Sequence, residues 1–65
     1  MHDLKALQRD LDDARREVRN LTVMAMRPDL TAKKLELVRN MERLARVEVK
    51  LRLKALEYAK AQARP

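Results

Sequence analysis

The sequence predicts an all-α fold, an antiparallel helical hairpin that dimerises into a four-helix bundle with coiled-coil-like packing. Three observations carry this expectation. Leucine recurs at every seventh position through Leu30, Leu37, Leu44 and Leu51, and Tyr58 takes the fifth place. The first half of the chain keeps a three-four alternation through Leu4, Leu7, Leu11, Ala14, Val18, Leu21 and Ala25. Between the two runs stands Arg27-Pro28-Asp29, the one clear interruption. Apolar residues spaced in this way form the seam of helices packed lengthwise, and a strict seven-residue repeat favours a left-handed supercoil.

The first helix is expected from about residue 3 to residue 26. Asp3 is suited to cap it, because a short acceptor side chain satisfies the free amides of a first turn. Its outer faces carry Arg9/Asp13 and Asp12/Arg16, opposite charges four residues apart that support one another weakly. Val23, Met24 and Met26 widen the apolar face toward the end, which implies more than one neighbour there. Pro28 disfavours helical geometry at Arg27 and stops the helix.

Asp29 is the expected cap of the second helix, with Thr31 competing, and that helix is expected over about residues 30–63. The connection at 27–29 is short enough to force an antiparallel arrangement. Counting back from it sets Leu21 near Leu37, Ala14 near Leu44 and Leu7 near Leu51. The Leu37, Leu44, Leu51 seam then faces helix 1. Leu56, Tyr58, Ala59 and Ala63 overhang the shorter helix and need another subunit. Val47 to Lys54 alternates apolar and charged residues as a half-buried strand would. Its flanks are strongly helical without a turn residue, so helix is expected throughout. On that helix Val47/Leu51 and Val49/Leu53 form two groups about 160° apart, with Glu48 and Arg52 between them.

Size points the same way as pattern. The 65 residues make one domain, residues 1–65, with a single seam between two helices. Chains this short usually add disulfides, a metal or further copies of themselves. Cysteine is absent and His2 is the single histidine, so no thiolate or multi-histidine metal site can form. Self-association is what remains. Glycine and serine are also missing, which removes the usual phosphate-cradling loop and the common nucleophiles. The expectation is a protein that is not an enzyme and carries no cofactor. The arginine-rich pattern of the all-helical chorismate mutases, which would make Lys34, Glu48 and Arg52 an anion pocket, is not present. No basic leader followed by an apolar core opens the sequence, and no apolar run approaches the ~20 residues of a membrane span. A cytoplasmic protein without membrane attachment is expected.

Function has to be read from charge. The formal net charge is +6. Residues 1–29 hold six basic and six acidic side chains, while residues 30–65 hold ten basic and four acidic. The excess therefore belongs to the second helix, which suggests an acidic partner such as nucleic acid. Arg39, Arg43, Arg46, Lys50 and Lys54 fall on one stripe of that helix, with Arg64 extending it and Glu36 and Glu57 diluting it. Like charges four apart repel one another, and such a stripe suits phosphate tracking better than a salt-bridged surface does. No aromatic side chains interleave with it, so recognition of bases by stacking is not expected.

The expected oligomer interface comprises Leu37, Leu44, Leu51, Leu56, Tyr58 and the Glu48/Arg52 pair, the latter buried and fixing register. In outline, the expected dimer is similar to the Rop-type plasmid copy-number regulators, a likeness of architecture that implies RNA binding by a hairpin dimer. The reading is thus a homo-oligomeric hairpin, dimer favoured, binding nucleic acid non-specifically through helix 2 in an accessory or regulatory role. The alternative is an adaptor, chaperone or inhibitor that takes a protein partner on the apolar Met24/Met26 or Leu56/Tyr58 end.

Overall fold

A computed structural model describes residues 3–63; His2 and Arg64 lie outside them. Two helices, α1 (Leu4–Ala25) and α2 (Ala32–Ala63), pack against each other as a hairpin about 53 Å long and 15 Å across. The stretch that alternates apolar and charged residues, 47–54, is helical.

Local chemistry sets the ends. Asp3 caps α1, its Oδ1 accepting from the amides of Lys5 at 3.0 Å and Ala6 at 3.3 Å. The α2 cap differs from the favoured expectation. Thr31 Oγ1 accepts from the Lys34 amide at 3.2 Å, and the Thr31 carbonyl accepts from Leu35 at 2.9 Å. Asp29 instead binds the Arg27 guanidinium at 3.2 Å across the turn. The connection therefore runs over residues 26–31 and α2 starts at Ala32, two residues later than expected.

The longer connection changes the register. Arg52 reaches Asp10 at 3.8 Å, and Leu4 and Leu56 line the same cleft. Ala14 lines a groove with Ala45 and Glu48. These pairings lie between one and four residues, at most about one helical turn, beyond the expected Ala14–Leu44 and Leu7–Leu51 neighbours. Leu56 and Ala59, expected to overhang, are 3% and 1% exposed within their own chain.

The face of α2 that meets α1 is also a different one. Leu11 and Leu21 of α1 are buried with Val38, Leu56 and Ala59 of α2. Around them Leu35, Glu42, Ala45, Val49 and Leu53 are half-buried. The inner seam of α2 thus steps through 35, 38, 42, 45, 49, 52, 56 and 59, a heptad pattern of its own. Leu37, Leu44, Leu51 and Tyr58, the most regular repeat in the sequence, stand exposed on another side. The alternation of 47–54 follows directly. Val49 and Leu53 turn toward α1, and Val47 and Leu51 turn away.

Candidate nucleic-acid interface

The inner seam fixes where every charge on the hairpin points. At 3.6 residues per turn, Arg39, Arg43, Arg46, Lys50 and Lys54 sit about 120° round α2 from that seam. All five are exposed. Arg46 donates to the Glu42 carboxylate one turn back. Among the described residues Arg39, Arg43, Lys50 and Lys54 form no ion pair.

The stripe does not stand alone. Arg15 and Arg19 of α1 flank the other wall of a groove whose α2 wall is Arg46 and Lys50, with Val18 and Val49 between them. Like Lys50, both α1 arginines are exposed and make no ion pair among the described residues. Toward the turn, Arg39 and Arg43 join Arg46 and its partner Glu42 around a shallow continuation. Toward the other end, Lys5, Arg9 and Lys60 gather near Leu4 and Leu56, accompanied by Asp12, which accepts from Gln8 at 3.0 Å. Lys60 lies two heptads beyond Arg46, so these three clusters follow one flank of the hairpin. From Arg39 to Lys60 that flank runs roughly 32 Å.

The opposite flank has the opposite character. Asp10, Asp13 and Glu17 of α1 face Glu48 and Arg52 of α2 across a groove floored by Ala14 and Ala45. Arg52 donates to Glu48 at 2.8 Å and lies 3.8 Å from Asp10, so it is held within that carboxylate cluster. The near-neutral count of α1 conceals this sorting, with Arg15 and Arg19 on one edge, accompanied there by Asp12 alone, and Asp10, Asp13 and Glu17 on the other. The spacing of Arg15 and Arg19, four apart beside the Val18 seam position, is the signal that would have assigned them to the site.

The remaining expected positions divide. Leu37, Leu44, Leu51 and Tyr58 are exposed, whereas Leu56 belongs to the hairpin's own core. Glu48 and Arg52 form their expected i,i+4 pair, but their side chains are 47% and 45% exposed and no polar side chain among the described residues is buried. The Leu37/Leu44/Leu51 seam beside the pair faces away from α1, so the hairpin alone does not enclose it. Lys34 is exposed as well.

No group of metal-ligating side chains occurs among the described residues, and no helix is long and apolar enough to cross a membrane. No family model matches the chain, and no curated protein or solved structure is similar to it.

Proposed function

We propose that the hairpin binds nucleic acid through its basic flank, engaging phosphates rather than bases, and that it does so as a homodimeric four-helix bundle in an accessory or regulatory role. The observation that carries this reading is the meeting of Arg15 and Arg19 with Arg46 and Lys50 across one groove. Like charges held side by side destabilise a helix in isolation. A row of phosphates relieves that repulsion and releases counterions from the nucleic acid as it does so. Asp10, Asp13 and Glu17 of α1 lie on the opposite flank. Asp12 and Glu42 accompany the cations on this one, but its cations outnumber its carboxylates and leave it a net cationic field. With Tyr58 the one aromatic residue, no stacking platform accompanies the cations, and the binding follows backbone charge and shape.

A salt titration tests the proposal. Affinity for generic duplex DNA and duplex RNA is measured between about 50 and 200 mM salt, where phosphate neutralisation produces a steep linear fall of log affinity against log salt. Absence of binding to both at the low end removes the proposal.

A second reading rests on the turn end of the hairpin. Val23 and Met26 are 66% and 78% exposed, and Met24 is partly so. Adaptable methionines on an exposed apolar end suit a protein partner. Under this reading Met26→Glu abolishes partner binding while charge reversals on the basic flank leave it intact.

A further inference from the structure

The exposed heptad of α2 forms a continuous apolar surface that α1 does not cover. Leu37, Met41, Leu44, Val47, Leu51 and Tyr58 are 44–71% exposed and line one side of the helix. Six side chains of this size offer on the order of 500 Å² of apolar surface, at the upper end of what a monomer leaves uncovered. Flanking methylenes bring such a face toward the ~800 Å² per partner of a standard stable interface. The core needs this surface too. Four large apolar side chains and one alanine are buried in the described residues, a small core even for a chain of this length.

The pattern specifies its own occupant. Leu37 and Tyr58 lie equally far from the midpoint between Val47 and Glu48, and so do Leu44 and Leu51. A face symmetric about its own centre is complementary to an antiparallel copy of itself, as an isologous two-fold interface requires. In that pairing Leu37 of one copy meets Tyr58 of the other, and Leu44 meets Leu51. Charge agrees. The antiparallel arrangement sets Lys33 and Lys34 beside Ala61 and Gln62, and Lys54 beside Asn40 and Met41. The central Glu48 is already compensated by its own Arg52 at 2.8 Å. A parallel, in-register arrangement would instead bring Lys33 of one copy against Lys33 of the other.

We infer that a second copy of this chain docks antiparallel on the Leu37–Tyr58 face, about a two-fold axis between Val47 and Glu48, and that this sets both basic stripes on one surface. The last step is geometric and rests on the phosphate-binding reading only for its use. An axis relating two antiparallel helices side by side stands normal to the plane they share, and rotation about it exchanges the helices without exchanging the surfaces. The Arg39–Lys54 stripe lies about 110° round α2 from the apolar face, turned the opposite way from α1. Both α1 helices therefore fall on one side of the dimer and both stripes on the other. The two α2 axes would be about 8–10 Å apart, near enough for one nucleic-acid duplex to meet both stripes.

The absence of cysteine makes the arrangement directly readable. Single-cysteine variants of the full chain are oxidised at low micromolar concentration without nucleic acid. Val47→Cys is expected to cross-link to itself, because the axis passes beside it. Leu37→Cys alone is expected not to, its two copies lying roughly 32 Å apart, whereas a mixture of Leu37→Cys with Tyr58→Cys gives the mixed disulfide. Rapid self-cross-linking of Leu37→Cys indicates a parallel pair and overturns the inference. So does a monomer of full helicity in sedimentation at tens of micromolar. Leu44→Lys with Leu51→Lys touches no side chain buried in the hairpin, and is expected to weaken dimerisation on the order of 100-fold or more. A cross-linked dimer that binds neither DNA nor RNA leaves this interface standing and removes the phosphate reading alone.

Discussion

Leu37 and Val38 are adjacent in α2 and lie on opposite sides of its division of labour: Val38 is 7% exposed against α1, and Leu37 is 60% exposed on the outer face. One helix thus carries two apolar seams and a basic stripe, spaced at roughly thirds of its circumference.

The division predicts two kinds of stability loss. Leu11, 1% exposed on α1, is expected to cost about 2–5 kcal/mol when cut to Ala, at every protein concentration. Leu37→Ala removes nothing from the hairpin core. Its effect is expected to scale with concentration, because it acts on association. Urea unfolding followed by circular dichroism at two concentrations separates the two behaviours. A concentration-independent loss at Leu37 equal to that at Leu11 would contradict the division into two seams.

The hairpin itself was legible because both helices have strong three-four periodicity and Pro28 interrupts them. What periodicity could not rank was the two seams of α2. The outer one holds Leu37, Leu44 and Leu51 in strict repeat. The inner one places Glu42 and Arg52 at seam positions and alanine at 45 and 59. Read by composition the outer seam looks like the core. Which seam packs on α1 depends on how the connection delivers α2, and there Thr31 rather than Asp29 caps the helix. The two seams are offset by a single residue, about a third of the helix circumference, so a small change in where α2 begins is enough to exchange one for the other.

Thr31 should therefore matter more than Asp29. Thr31→Ala leaves the Lys34 amide without its side-chain acceptor and is expected to cost about 1 kcal/mol. Asp29→Ala loses an exposed pair with Arg27 and is expected to cost a few tenths of that, about 0.3 kcal/mol. Thermal melts of the two variants in one buffer check the order. A larger loss at Asp29 would mean that α2 starts earlier than Ala32.

Arg52 joins α1 to α2 through Asp10 while pairing with Glu48 on its own helix. Were this cluster enclosed, removing the guanidinium would cost several kcal/mol by leaving carboxylates buried. In the isolated hairpin the side chains are about half exposed, so water and salt screen the cluster. Arg52→Leu is then expected to cost less than about 1 kcal/mol at concentrations too low for a second copy to cover Glu48. The difference should shrink further at molar salt, where the screening length falls to about 3 Å. Melting both proteins at low and high salt tests this. A large, salt-independent loss would place the pair inside an interface.

The functional surface was only half legible. The α2 stripe shows in the sequence because five cations repeat on one helix without a carboxylate between Arg43 and Lys54 on that side. Arg15 and Arg19 were hidden, because α1 counts as neutral until its partner helix defines which edge is which.

That half supplies the sharpest test of function. If the groove is the site, Arg15→Gln with Arg19→Gln should weaken nucleic-acid binding as much as Arg43→Gln with Lys50→Gln does. Each pair should lower the slope of log affinity against log salt by about two, one for each phosphate left without its cation. The loss should be uniform across sequences, because the phosphate backbone carries no base information. Lys34→Gln removes a charge from a position off this flank and is expected to change the slope little, which guards against an effect of net charge alone. All five positions are exposed, so folding survives each change and helicity serves as the control. Should the α1 pair have no effect while the α2 pair abolishes binding, the ligand follows the single stripe and the groove between the helices is not its seat.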